Sequence, residues 1–245
     1  MNSILEIRGI SKAFGGLQAV RNFDLRVREK DLVGIIGPNG AGKTTVFNLI
    51  TGFIRPDGGE VWFKGENITR LKPFQIVNRG LCRTFQLVDL FKEMTALENV
   101  MIPCFSHRAT RERPKGEKAW RVAMEFLEGV GLASRFNEQV KNLAFGELRL
   151  LDIARAMATQ PDILLLDEPF SGLDVEDAAV LSSVIQKMHQ KGQTMIIIEH
   201  RLRDLLKLVE SVVAIVFGEK VAEGTPQAIM NNPKVINAYL GDRRE

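Results

Sequence analysis

The chain has 245 residues, 45% of them hydrophobic, and its 33 basic side chains stand against 30 acidic ones for a formal charge of +3. That hydrophobic share can bury a full core, which excludes a disordered chain, and so even a charge balance gives no footing for a polyanion track. Nucleic acid is therefore not an expected partner. The two cysteines, Cys82 and Cys104, are too few for a disulfide framework and lack metal-ligand spacing, so both read as packing residues in a reducing compartment.

The start, Met1-Asn2-Ser3-Ile4-Leu5-Glu6, has no basic stretch ahead of an apolar one, so no secretion signal is expected. Leu5 and Ile7, then Phe23, Leu25 and Val27, alternate with polar residues and predict half-buried antiparallel strands. Leu32-Val33-Gly34-Ile35-Ile36 is instead continuously apolar, as a central parallel strand covered on both faces must be. Directly after it, Gly37-Pro38-Asn39-Gly40-Ala41-Gly42-Lys43-Thr44 fits the phosphate-loop pattern G-x-x-x-x-G-K-[ST]. The glycines let successive backbone N–H groups turn inward around phosphates, Lys43 reaches the β and γ oxygens, and the Thr44 hydroxyl can ligate Mg²⁺. A helix opening at Lys43 adds its positive end. The chain is thus expected to bind a nucleoside triphosphate.

Val61, Phe63 and a turn at Gly65-Glu66-Asn67 continue the antiparallel layer. From Gln86 to Gly146 the pattern turns helical, opening on a Thr95-x-x-Glu98 capping box, with a second helix predicted over Glu117 to Glu128. This reads as a helical arm inserted in the core. Its middle, Ser106 to Arg121, carries Arg108, Arg111, Arg113, Lys115, Lys118 and Arg121 diluted by Glu112 and Glu117, which reads as a solvated loop or as a patch facing lipid headgroups. The runs Ile163–Leu166 and Met195–Ile198 are again continuously apolar and strand-sized, far short of a bilayer crossing. Any membrane span would belong to another chain. Asp167 and Glu168 follow the first of these runs, at the carboxyl edge of the sheet where open α/β folds bind ligands. There Asp167 can hold Mg²⁺ opposite Thr44, and Glu168 can orient or deprotonate an attacking water. The fold class is α/β: a phosphate-loop nucleoside-triphosphatase core with a mostly parallel sheet, a flanking antiparallel layer and the inserted arm.

With these residues in place, the chain resembles the nucleotide-binding subunit of an ATP-binding-cassette (ABC) transporter over nearly its whole length. The resemblance implies core segments 1–86 and 155–245 and an arm over 87–154. It implies ATP as the nucleotide, held by Gly37 through Thr44 and by Thr45, with adenine on Phe14 in Ser11-Lys12-Ala13-Phe14-Gly15-Gly16. It also makes Gln86, after Arg83-Thr84-Phe85, the metal-sensing glutamine that links core to arm. Ser171-Gly172-Leu173-Asp174 matches the loop that crosses to a partner subunit, and His200 matches the histidine on the γ-phosphate.

The family signature L-S-G-G-Q reads here Leu143-Ala144-Phe145-Gly146-Glu147, so the segment expected to cap the facing subunit's nucleotide comprises Ala144, Phe145, Gly146 and Glu147. Ala144 lacks the usual hydroxyl, and Glu147 would repel a triphosphate unless it points away. Phe145 resembles the aromatic of the branched-chain (hydrophobic) amino acid uptake branch. So do Leu90-Phe91, Met94 through Val100 and the tail Pro233 through Gly241, whereas Arg201 stands where that branch is expected to have Asp. The implied partners are a second cassette subunit, two membrane permease subunits and, indirectly, an extracytoplasmic solute-binding protein. The implied location is cytoplasmic, peripheral on the inner face of the cell membrane. A lipid or lipopolysaccharide exporter and a non-transport cassette ATPase share the same nucleotide residues and stand as alternatives.

Overall fold

The computed structural model describes residues 3–113 and 117–240. Two long strands, β1 (Ser3–Phe14) and β2 (Leu17–Arg28), form an antiparallel hairpin, followed by β3 (Leu32–Ile36), the phosphate-loop segment and α1 (Lys43–Ile50). Then come β4 (Gly58–Phe63), β5 (Glu66–Asn67), α2 (Pro73–Arg79) and β6 (Leu81–Arg83). The tight turn before β5 falls on Lys64-Gly65, both at positive φ, so Glu66 and Asn67 lie in the returning strand and not in the turn. The arm follows as α3 (Ala96–Cys104), α4 (His107–Glu112), α5 (Ala119–Gly129) and α6 (Phe145–Met157). The chain closes with β7 (Ile163–Asp167), α7 (Val175–Gln190), β8 (Thr194–Ile198), α8 (Leu202–Leu205), β9 (Ser211–Val216), β10 (Glu219–Gly224), α9 (Pro226–Met230) and α10 (Pro233–Leu240).

The strands make two sheets, a four-stranded antiparallel one in the order β2-β1-β4-β5 and a six-stranded one in the order β10-β9-β3-β8-β7-β6. In the larger sheet all pairs are parallel except the β9–β10 hairpin at the edge. The continuously apolar runs are β3, β7 and β8, and every residue of each is buried. Side chains alternate across a strand, so one run serves two cores. Val33, Ile35, Leu165, Ile196 and Ile198 pack with Phe47 of α1 and the antiparallel sheet. Leu32, Ile36, Leu164, Leu166 and Ile197 pack with the arm helices and α7. The phosphate loop leaves the sheet between these two layers.

Cys82 and Cys104 are buried and free, as expected, and burial pushes the Cys104 thiol up to about 11. The basic stretch departs from both of its sequence readings at Arg108, which is buried and paired with Asp162 at 2.8 Å. Its guanidinium also donates to Gln160 O at 2.7 Å, so it staples α4 to the turn before β7. Lys115 lies outside the described residues. Helix α5 starts at Ala119, two residues after the predicted Glu117.

At α3 the predicted capping box is complete: Thr95 Oγ1 accepts from the Glu98 N–H at 3.2 Å and the Glu98 carboxylate accepts from the Thr95 N–H at 2.7 Å. Thr95→Ala should therefore cost about 1 kcal/mol in denaturant unfolding, and Thr95→Ser should cost less than half of that.

Candidate functional site

The phosphate loop is shaped by what lies directly behind it. A β-carbon on Gly37 would fall 2.2 Å from Ile215 O, and one on Gly42, at φ +98°, would fall 2.3 Å from Ala19 O. No side chain fits at either position, so the backbone itself can face the hollow. Lys43 is buried at the start of α1, and its ammonium donates to Gly37 O at 2.7 Å and Pro38 O at 3.0 Å across the loop. Burial lowers its pKa, and the carboxylates of Glu168, Asp167 and Glu199 pull it back upward. A cavity of about 380 Å³ opens above, bordered by Phe14, Asn39 through Thr45, Glu168 and Phe217. Gly37 and Pro38 do not border it, and their carbonyls hold the Lys43 ammonium.

Asp167 ends β7 with its side chain 2% exposed. Arg83, at the end of the neighbouring strand β6, donates from Nη2 to Asp167 Oδ2 at 2.5 Å and from Nη1 to Asn48 Oδ1 of α1 at 2.6 Å. Phe47 and Phe85 flank the guanidinium, with ring centres at 5.4 and 4.9 Å. The other carboxylate oxygen, Oδ1, is buried with no hydrogen-bond partner. A buried anionic oxygen without a donor is costly unless a cation serves it. Among the described residues no cluster of three or more His, Cys, Asp or Glu side chains converges as a metal site. A single carboxylate oxygen, one residue before the Glu168 that borders the cavity together with Thr44, is instead the sparse, hard-oxygen donor that Mg²⁺ takes, completing its shell with phosphate and water.

Glu168 sits at φ +48°, a left-handed conformation unusual for a long side chain, with its N–H bonded to Ile198 O at 2.9 Å. Its Oε2 accepts from Gln86 Nε2 at 2.8 Å and lies 3.5 Å from His200 Nδ1. Three segments far apart in sequence thus meet at Glu168, which borders the cavity.

Behind them Glu199, wholly buried, accepts the N–H groups of Phe170, His200 and Arg201 at 2.8 to 2.9 Å. Arg201 returns two bonds to the same loop, to Phe170 O at 3.0 Å and Leu173 O at 2.9 Å. Arg149 of α6 bridges Gln86 O at 2.8 Å and Ser171 O at 3.2 Å.

The signature residues do not border this cavity. Ala144 precedes α6, and Phe145, 47% exposed, covers the Arg149 guanidinium at 5.3 Å. Gly146 approaches α7 so closely that a β-carbon would fall 2.3 Å from the Asp177 carboxyl carbon. Glu147 points back along the chain: its carboxylate accepts the Ala144 N–H at 2.8 Å and pairs with Arg135 at 3.0 Å. Burial alone would raise its pKa, but Arg135 and that N–H hold it below the usual carboxylate range. Asp174 caps α7 through the Asp177 N–H at 2.8 Å.

Of the residues that sequence reasoning assigns to the site, the structure sets Lys43, Thr44 and Glu168 on one cavity, Gln86 and His200 on Glu168, and Asp167 on Arg83. Sequence reasoning has no account of what Arg83, Arg149, Glu199, Arg201 or Phe217 do. Of these, only Arg201 carries a signal, its departure from the expected Asp.

A phosphate loop after β3 of a mostly parallel sheet, with paired acids at the end of β7 and an α-helical arm, defines a nucleotide-binding cassette. The model of the ABC transporter family matches residues 20–171, and that of the branched-chain amino acid ATP-binding cassette transporter matches residues 219–245. The high-affinity branched-chain amino acid transport ATP-binding protein BraF of Pseudomonas aeruginosa is 43% identical, with 98% of each chain covered. The ADP conformation of MJ1267, an ATP-binding cassette of an ABC transporter, superposes with a TM-score of 0.88 at 33% identity over 99% of this chain and 100% of that one. The post-hydrolysis dimer of the cassette MJ0796 with ADP and Pi gives 0.78 at 27% identity over 91% of this chain and 98% of that one. The chain belongs to the ABC transporter family, as an ATPase cassette of its branched-chain branch.

Removing Arg83 alone would leave Asp167 buried and unpaired, so Arg83→Ala should lose about 3–5 kcal/mol in denaturant unfolding. The Arg83→Met/Asp167→Asn double variant should recover a large part of that loss, because both charges leave together.

Proposed function

We propose that this chain is the ATP-hydrolysing subunit of an importer for branched-chain or other small hydrophobic amino acids, working with separate permease subunits. Its likeness to BraF over the full chain and the match at the tail support the substrate class. The observation that carries the mechanism is the convergence of Gln86 and His200 on Glu168, which borders the phosphate-loop cavity.

Lys43 and the backbone N–H groups of Asn39 through Thr45 bind the phosphates, and Phe14 receives the adenine. Thr44 and Asp167, through its free Oδ1, would hold Mg²⁺, which neutralises charge on the β- and γ-phosphates when bound. Glu168 takes the proton of the attacking water, and His200 and Gln86 fix its carboxylate and contact the γ-phosphate side. Because Ala144, Phe145, Gly146 and Asp174 lie off the cavity, they act on the nucleotide of a second cassette, sealing it with the start of α6. ATP then holds two cassettes shut and hydrolysis releases them.

Beside Gln86 the surface is unusually apolar: Phe85, Leu87 and Phe91 are exposed, and Phe53 meets Phe85 edge-on at 5.4 Å. This face receives the permease, since exposed apolar patches of this kind mark contact sites. Among the described residues no helix is long and apolar enough to cross a membrane. In this reading the subunit is peripheral on the cytoplasmic face, and a solute-binding protein works on the other side.

Glu168→Gln keeps the Gln86 contact and removes the base. ATPase turnover of the assembled transporter should fall roughly 10²-fold or more while ATP affinity stays within about twofold. Undiminished turnover would remove Glu168 from the chemistry. In proteoliposomes the same variant should stop uptake of leucine.

A further inference from the structure

Strands β9 and β10 are joined by a two-residue turn, Phe217-Gly218, at φ +48° and +79°. A hairpin of this kind needs both residues left-handed, and Asn, Asp or Gly are the residues that suit the first position. Phenylalanine has no local hydrogen bond to offer there. It also gains nothing from a core, because its side chain is 85% exposed, more than any other large apolar side chain among the described residues. Both the backbone and the solvent therefore oppose Phe217, and strain of this kind gathers at functional sites.

The turn is held rigidly against the phosphate loop. The Gly218 N–H donates to Ala41 O at 3.0 Å, and Gly218 O accepts from the Arg21 N–H at 2.8 Å. A β-carbon on Gly218 would fall 2.7 Å from Ala19 O, so the hairpin tip lies directly on β2. Phe217 borders the same 380 Å³ cavity as Phe14, which projects from the β1–β2 hairpin. Two hairpin tips thus each carry an exposed aromatic to one hollow, and the phosphate loop forms its floor.

We propose that Phe217 is a second aromatic contact for the nucleotide base, which is held between the tips bearing Phe14 and Phe217. This rests on the reading above, in which the triphosphate sits in the phosphate loop. The base's π-face is recognised without its hydrogen-bonding edge, so the contact favours a nucleotide over a bare polyphosphate and discriminates little between adenine and guanine.

The test measures binding of Mg-ATP and of Mg-tripolyphosphate, which has the phosphates but no base, by calorimetry on the full chain. Phe217→Ala should weaken ATP roughly tenfold and leave tripolyphosphate unchanged, whereas Phe217→Tyr should bind ATP as the parent does. Phe217→Trp should show fluorescence quenching with ATP and none with tripolyphosphate. Equal losses for both ligands would make Phe217 a support of the loop and overturn the proposal, as would unchanged ATP binding. Lys43→Ala separates the two readings. It should weaken both ligands, and if it spares both, the phosphate-loop assignment itself fails whatever Phe217 does.

Discussion

The ion pair between Arg83 and Asp167 holds the site in register. Burying two charges costs more than a single Coulombic contact returns unless the remaining donors and acceptors are also served. Here Asn48 takes a second guanidinium bond and two phenylalanine rings flank it, while Arg83 Nε and Asp167 Oδ1 stay buried without a partner. That arrangement joins the ends of β6 and β7 to α1, so the acid of one strand and the helix behind the phosphate loop cannot drift apart. It also anchors one oxygen of Asp167 and leaves the other buried without a hydrogen-bond partner. Because Phe85 is one of the two rings, the residue next to Gln86 is packed on the same guanidinium. The apolar face beside Gln86 and the acid beneath the cavity are thereby parts of one contiguous contact.

A second set of buried charges ties the loops above the sheet. Glu199 takes three backbone N–H groups, and Arg201 bonds two carbonyls of the segment that Glu199 also holds. Arg149 spans from α6 to Gln86 and Ser171. The histidine loop, the segment before α7, the signature helix and the glutamine loop are therefore one hydrogen-bonded unit. In the low dielectric of the interior such a network is stiff, so a displacement at one loop is passed to the others. Under the function proposed above, a γ-phosphate at His200 and a permease beside Gln86 would act on the same unit from two sides. Glu147 shows how the departure at the signature is accommodated: with alanine at the cap position, the carboxylate caps the helix from within and Arg135 neutralises it.

Much of this was legible in the sequence because it depends on short-range rules. The phosphate loop is a fixed spacing of glycines, lysine and threonine; the central strands are continuous apolar runs; and Thr95 with Glu98 is a reciprocal cap. The elements that escape are those whose meaning is supplied by distant residues. Leu81-Cys82-Arg83 is a three-residue strand, too short for any periodicity, and it exists because β7 pairs with it. Arg108 looks like one of a run of surface cations, but Asp162, more than fifty residues on, takes it inside. The turn at Phe217 has no spacing pattern at all, and only the contact of Gly218 with Ala41 ties it to the loop. Arg201 was visible as a departure, yet its two carbonyl partners lie about thirty residues away.

The central claim is that Arg83 fixes Asp167 so that a single oxygen is offered to the cation between protein and phosphates. A structure of the chain with Mg²⁺ and a non-hydrolysable ATP analogue tests it most directly. The account predicts the cation on Asp167 Oδ1 and the Thr44 hydroxyl, with Arg83 still bonded to Oδ2. A cation held by other side chains, or an Asp167 carboxylate turned wholly toward Arg83, would contradict it.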